Sequence, residues 1–463
     1  MSADQPINAD VPEREGPDEA APSAPEAPKP PPSPQPPEPK RRRPHVPGAL
    51  LLIGGLVVVA IGFIVLAVVA GGGGPKGEST SSGPAPAPAP APVQEEPASE
   101  EGEASTPSSQ TSEALGYPAF ATDNTTRVGG ATAAENAAAA ALAVFPSTTP
   151  AQQPAAVALV DEEDWPAAIA AAVLMAPPVR APLLFSGPEG TPAATEEALA
   201  ALDPQGSKAT GGARGFAFGD ASVPEDARGI ETIRTDSETE GDPRVVAAAI
   251  AKLRDRLFGS PPDAVVVAPL DAPGFAMPAA AWAARSGDPV LFSEADSLSE
   301  PTASALQRHA DVPVYVLGPT SAISERVVHQ IAQINPKVKR VAGADPVGTA
   351  LALARYGHGG FGWDVNDPGH GFVLVRDDSP LDAAAAAPLS AAGTWGPLLL
   401  TDSADTLPAE VRSYFLDVKP GYTTNPTRAF YNHVWVIGDQ EAIDVRQQAE
   451  VNELAELAKI GEG

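Results

Sequence analysis

Cysteine is absent from all 463 residues. That excludes a disulfide scaffold, a thiol nucleophile, an iron–sulfur centre and a thiolate zinc site. Aromatic residues make up only 5% of the chain, so any core has to be aliphatic and rich in alanine. Basic residues are scarce as well: 30 Lys and Arg face 59 Asp and Glu, a formal charge of −29. Nucleic acid demands a cationic surface that displaces counterions, so no nucleic-acid partner is expected. The six histidines (His45, His309, His329, His358, His370 and His433) form no HExxH pair. GxSxG, Walker A and GxGxxG sequences are missing too. No catalytic residue, no metal ligand set and no cofactor is therefore nominated, and the chain reads as a non-enzyme.

Proline is abundant and unevenly spread. Of 54 prolines, 14 fall within residues 1–46, in runs such as Pro30-Pro31-Pro32. With almost no large apolar side chains, 1–46 cannot offset its ordering entropy and is expected to be a disordered tail, locally polyproline II. Such a tail suits an aromatic-groove partner in the cytoplasm. Residues 49–70, ALLLIGGLVVVAIGFIVLAVVA, carry no charge. At ~1.5 Å per residue that run spans the ~30 Å of a hydrocarbon core. Lys40, Arg41, Arg42 and Arg43 precede it and only Lys76 follows closely, so the positive-inside rule places the N-terminus in the cytoplasm. A cleaved signal peptide ending near Ala70 is the alternative, for which both leader and apolar run are long. Residues 47–71 are thus read as a single transmembrane helix. Residues 72–119, with the Pro-Ala repeat Pro84–Pro92, form an acidic extracellular spacer.

The rest of the chain repeats with a period of about 107 residues. Pro182-Leu183-Leu184-Phe185-Ser186 aligns with Pro289-Val290-Leu291-Phe292-Ser293 and with Pro397-Leu398-Leu399-Leu400-Thr401. Arg127, Arg234 and Arg340 keep almost the same spacing. Two independent anchors with one period define three units, 120–232, 233–338 and 339–457. Each unit opens with an Ala-rich helix (Ala131–Val144, Pro243–Phe258, Pro346–Tyr356). An apolar strand follows (Ala155–Val160, Ala264–Ala268, Phe372–Val375). Next come a second Ala-rich helix, the Pro-Leu-Leu strand, a short acidic helix and a strand ending in glycine (Gly219, Gly318, Gly438). A last helix is expected from Ser324 and from Asp444, each as N-cap, and is short or absent in unit one. Continuous apolar runs of four to six residues predict strands buried on both faces, hence parallel sheets covered by helices. The expected fold class is α/β, with three tandem open parallel-sheet units of Rossmann or flavodoxin-like type.

This grammar resembles the cell wall-binding repeat type 2 family, found in threes on surface proteins of Gram-positive bacteria. The resemblance rests on Arg127-Val128-Gly129-Gly130, Arg340-Val341-Ala342-Gly343-Ala344-Asp345 with Thr349-Ala350, and Asp382-Ala383-Ala384-Ala385. Leu398-Leu399-Leu400-Thr401, Val316-Leu317-Gly318 and Val436-Ile437-Gly438 add to it. It covers about residues 123–455. Units one and two depart from the family at the helix-start Asp, and the second Arg and paired Gly of the family motif are missing throughout. The resemblance implies α/β modules packed as a pseudo-trimer that attach non-covalently to anionic wall polymers.

The expected function is therefore a membrane-anchored surface protein that binds a cell-wall polymer or a peptidoglycan-associated glycan, single-pass, with its C-terminal domain outside. Arg127, Arg234 and Arg340 recur once per unit and are the nominated grips on phosphate or carboxylate. Asp378 and Asp382 stand where open α/β sheets bind ligands, as does the cluster Asp161-Glu162-Glu163-Asp164. A divalent cation such as Ca²⁺ is the alternative bridge to an anionic polymer. Two other readings stay open: a wall-glycan hydrolase using the acidic loops, and a degenerate-repeat platform for protein interaction. The insertion Gly357–Gly371 is read as a Gly-rich connection, with a ligand loop as the less expected alternative.

Overall fold

The computed structural model describes residues 120–225, 227–233, 241–393 and 395–460. The tail, the apolar run 49–70, the spacer and Arg234 lie outside the described residues. Among the described residues no helix is long and apolar enough to cross a membrane.

The described chain begins with the antiparallel pair β1 (Phe120–Ala121) and β2 (Thr125–Val128), then α1 (Ala133–Val144). Unit one continues with β3 (Val157–Val160), α2 (Trp165–Ala171), β4 (Leu183–Phe185), α3 (Ala193–Leu202), β5 (Gly215–Phe218) and β6 (Ile230–Ile233). Unit two has α4 (Pro243–Phe258), β7 (Val265–Pro269), a short α5 (Pro273–Ala276), α6 (Pro278–Ser286) and β8 (Val290–Ser293). It ends with α7 (Glu300–Gln307), β9 (Val314–Leu317), α8 (Glu325–Ile334) and β10 (Val338–Val341). Unit three has α9 (Pro346–Arg355), β11 (Gly371–Arg376), α10 (Pro380–Ala391), β12 (Leu398–Thr401) and α11 (Ala409–Asp417). It closes with β13 (Gly421–Tyr422), β14 (His433–Ile437), α12 (Val445–Ala455) and β15 (Ala458–Lys459). Among the described residues unit one has no helix between β5 and β6, where the sequence predicts a short one or none.

Three main sheets result, ordered β4-β3-β5-β6, β8-β7-β9-β10 and β12-β11-β14-β2, with β1 beyond β2, and β13 and β15 form a separate two-stranded sheet. Every pairing within these four-strand sets is parallel. Each set follows the start of the flavodoxin-type order, in which the second strand lies to one side of the first and the later strands to the other. The strand carrying the unit arginine does not join the sheet of the unit it opens. β10, with Arg340, completes the sheet of unit two. β2, with Arg127, completes that of unit three, so the first part of the domain closes onto the last.

Burial explains the strand composition. β3, β4, β5, β7, β8, β9 and β12 are buried at every residue, as a sheet with helices on both faces requires. The second helices of the units, α2, α6 and α10, pack on one another in the middle. Their contact faces are alanine: Ala168, Ala280, Ala281, Ala384 and Ala385 are all fully buried. Small side chains let three helix backbones approach closely, and one apolar core runs through all three units. Of the two N-caps the sequence names, Asp444 caps with its side chain and Ser324 does not. Thr132 and Glu135 form a capping box on α1, while Asp345 and Asp444 accept amide hydrogens at the starts of α9 and α12. Ser324 takes the N-cap position of α8 without a side-chain bond.

Candidate functional site

Open parallel sheets leave a crevice at the carboxyl ends of their strands, where the chain direction of build-up reverses. In the third sheet that point falls between β11 and β14. β11 is followed by Asp377 and Asp378, β14 by Gly438 and Asp439, and β2 by Gly129 and Gly130. α10 starts from the same edge with Ser379 at its N-cap position, without a side-chain bond, and Asp382 lies in its first turn.

Asp382 is tied across the units. Asn136 on α1 donates through Nδ2 to its Oδ1 at 2.8 Å, and the Asn136 Oδ1 accepts the Gly130 N–H at 2.9 Å. Gly129, at φ +109°, has to be glycine, since a Cβ there would lie 1.9 Å from Asn136 Oδ1. Burial pushes the Asp382 carboxyl up to about 6; the Asn136 donor opposes this, and Asp378 and Asp439 add to it. Asp377 is raised by burial and by neighbouring Asp378 and Asp402. Asp378 is exposed and pairs with Arg376 at 2.9 Å. Counted from the strand end, Pro166 and Phe275 take the place of Asp382 in the other units, so the carboxylate at this position belongs to unit three alone. In unit one Asp164 caps α2; burial raises it, the Ala167 N–H opposes, and Asp161 and Asp220 reinforce the rise.

The arginines are not on this crevice in the way the sequence suggests. Arg127 is 1% exposed. Its Nη1 donates to the carbonyls of Gly438 (2.9 Å) and Asp439, its Nη2 to that of Ile443, and its Nε to Gln448 Oε1 (3.1 Å). Burial lowers its pKa, against the pull of Asp439 and Asp444. Arg340 repeats the arrangement one unit earlier, donating to the carbonyls of Gly318 and Ile323, both at 2.8 Å, and to Glu325 Oε1 at 2.9 Å. Each arginine clasps the turn between the glycine-ending strand and the last helix of the sheet it completes. Arg127 and Arg340, nominated as polymer grips, are placed in these turns, with donors on backbone carbonyls and, in Arg340, on the exposed Glu325. Arg234 lies outside the described residues.

Asn136 is the partner that sequence reading missed. Its one signal is its place six residues after Gly130, matched in unit three by Thr349, whose Oγ1 accepts the Gly343 N–H at 2.9 Å. Among the described residues no group of three or more His, Asp or Glu could hold a metal ion. The crevice offers one buried carboxyl, Asp382, engaged by an amide, and beside it the carboxylates of Asp377, Asp378 and Asp439.

Fold and site together describe an α/β domain of three parallel-sheet units with an acidic crevice in the third. Residues 241–328 and 340–446 match the model of the cell wall binding domain 2 (CWB2) family. Among solved structures the fold is similar to Cwp6 from Clostridium difficile, with 20% identity, a TM-score of 0.57, and coverage of 72% of this chain and 48% of that one. It is likewise similar to Cwp8 from Clostridium difficile, with 18% identity, a TM-score of 0.53, and coverage of 72% and 52%. The chain thus spans about half the length of these proteins. No curated protein sequence matches it.

Proposed function

We propose that the module made of residues 118–463 holds its protein at the bacterial cell wall by binding a wall polymer, or a glycan associated with peptidoglycan, non-covalently and without turnover. The observation that carries this reading is the match of two of the three units to the model of a family of cell wall binding domains. The first unit lies outside the family match yet has the same sheet order, which supports a three-unit module acting as a whole. The uncharged run 49–70, flanked by Arg41, Arg42 and Arg43, supports a single-pass anchor with the N-terminus in the cytoplasm and the spacer 72–119 lifting the module toward the wall. The Pro-rich tail would then be free for a cytoplasmic partner. Purified cell-wall sacculi, pelleted with the protein in the presence of Ca²⁺ or of chelator, test the reading. Retention is expected; its absence under both conditions sinks the proposal.

A further inference from the structure

Three of the five tryptophans of this aromatic-poor chain converge on one cleft. Trp282 lies on α6, Trp363 in the insertion between α9 and β11, and Trp395 in the turn before β12. The cleft has a volume of about 350 Å³, and its polar lining includes Arg285, Asp263 and Asp288. Trp282 and Trp363 meet edge to face at 5.6 Å, and Trp363 stacks on Trp395 with centroids 6.3 Å apart. The wall is anchored from behind. Trp282 Nε1–H donates to Asp288 Oδ2 at 2.9 Å, and the other oxygen of that fully buried carboxylate accepts the Ala264 N–H, also at 2.9 Å. The insertion is fixed as well: Gly362, at φ +91°, passes so close that a Cβ would lie 2.1 Å from the Tyr356 carbonyl oxygen.

The front of the cleft is open. Trp395 is 37% exposed. The Arg285 guanidinium lies 4.3 Å from the centre of its ring, and among the described residues it has no carboxylate partner. Partial burial lowers its pKa. A seam filled only by aromatic rings would leave no cavity, whereas here a cavity opens beside an exposed ring that carries a cation with no carboxylate partner among the described residues. The geometry points to a subsite for the pyranose units of a glycan. The apolar C–H face of a sugar ring lies against the exposed part of Trp395, which the buried Trp363 and Trp282 back, while its hydroxyls meet the N–H donors of Arg285 and the Asp263 carboxylate. The volume is at the lower end of the ~300–1,000 Å³ usual for ligand sites, which suits one or two sugar residues of a longer polymer. Asp263, Asp288 and Trp395 precede β7, β8 and β12, so the cleft opens at the amino ends of the strands, away from the acidic crevice.

This assignment rests on the wall-binding reading and names the chemistry that reading leaves open. The test titrates the full-length protein, in a detergent without a sugar headgroup, with two soluble probes: the peptidoglycan disaccharide of N-acetylglucosamine and N-acetylmuramic acid, and chitotriose. Tryptophan emission reports binding, and retention on sacculi is measured in parallel. At least one sugar is expected to shift the emission. Trp395→Ala and Arg285→Ala are expected to weaken binding about tenfold, with Trp395→Phe close to wild type. The subsite is overturned if neither sugar changes the emission, or if Trp395→Ala binds both probes and sacculi as tightly as the wild type. In that last case wall binding itself stands. Sugar binding at the cleft with no retention on sacculi would instead uphold the subsite and reject the wall as its setting.

Discussion

Replacing Arg127 by methionine separates a structural clasp from a ligand contact. The substitution keeps an unbranched apolar stem and deletes the guanidinium. Lost with it are the hydrogen bonds to the carbonyls of Gly438, Asp439 and Ile443 and to Gln448. Each orphaned buried acceptor costs ~1–3 kcal/mol. The gain from no longer burying a cation offsets part of this, since burial already depresses the Arg127 pKa. A net loss of about 3–5 kcal/mol follows, the range seen when one member of a buried charged network is removed. At ~2 cal/mol/K per residue the described domain has an unfolding entropy of roughly 0.7 kcal/mol/K, so Tm should drop by about 4–7 °C. Hydrogen exchange should quicken first in β2 and in its neighbour β14, because the clasp fixes their seam. Arg340→Met should cost less, about 1–3 kcal/mol, since Arg340 reaches two carbonyls and its third partner, Glu325, is exposed. Calorimetry, hydrogen exchange and sacculus retention well below Tm together check this. An unchanged Tm with lost retention would refute the clasp and restore Arg127 as a polymer grip.

Asp382→Asn keeps an acceptor for Asn136 and removes a carboxyl whose folded pKa, about 6, exceeds its unfolded value. In the wild type that group's share of stability is intact at low pH and lost as pH rises through about 6. The variant should therefore gain up to about 3 kcal/mol on the wild type at pH 7 and nothing at pH 4, measured by urea unfolding. A constant difference across that range would exclude titration as the cause. His433 is driven by burial to about 4, so it is neutral when folded, and protonation of the unfolded chain erodes stability as pH falls from 6.5 toward 4. His433→Gln should flatten that acid limb in thermal melts, and an unaltered limb would show that His433 does not titrate in this way. Gly396→Ala would bring a Cβ to 1.7 Å from the Gly371 carbonyl oxygen, at the seam between β11 and β12. A destabilisation above about 2 kcal/mol is expected, and a neutral result would mean that the two strand starts separate freely.

The repeat, the strand order along the chain and the alanine helices were legible because each has a local cause. Runs such as Val265–Pro269 and Leu398–Thr401 are apolar at almost every position, and only a doubly covered parallel strand needs that. Strand partnership was not legible. β2, β6 and β10 read Thr-Thr-Arg-Val, Ile-Glu-Thr-Ile and Val-Lys-Arg-Val, short polar edges with nothing in them that names a neighbouring sheet. A period fixed on the arginines therefore opens each unit with a strand that pairs with the sheet before it. The role of Arg127 was hidden for a related reason: a charged side chain is presumed to face solvent, and its carbonyl partners lie more than 300 residues away in sequence. Trp282, Trp363 and Trp395 share no spacing, and only the packing of α6 against unit three brings them together.

The charge of the module bears on how a wall polymer would be held. Residues 118–463 carry 23 basic and 44 acidic side chains, and two of the arginines that would have offset the acids are used up in clasps. An anionic polymer approaching the carboxyl ends of the strands meets Asp377, Asp378 and Asp439, carboxylates close enough to raise one another or Asp382. Repulsion of that kind is screened beyond ~8–10 Å at physiological salt. It therefore governs the acidic edge and not the aromatic cleft at the opposite ends of the strands. A contact made there by ring stacking and hydrogen bonds releases few counterions, so retention on sacculi should change little between low and high salt. Ion pairing between polymer phosphates and arginine would make retention fall steeply with salt, and a cation bridge would make it vanish with chelator. A salt series with and without chelator therefore decides among the three, and a steep loss of retention in either arm would count against recognition through the sugar ring.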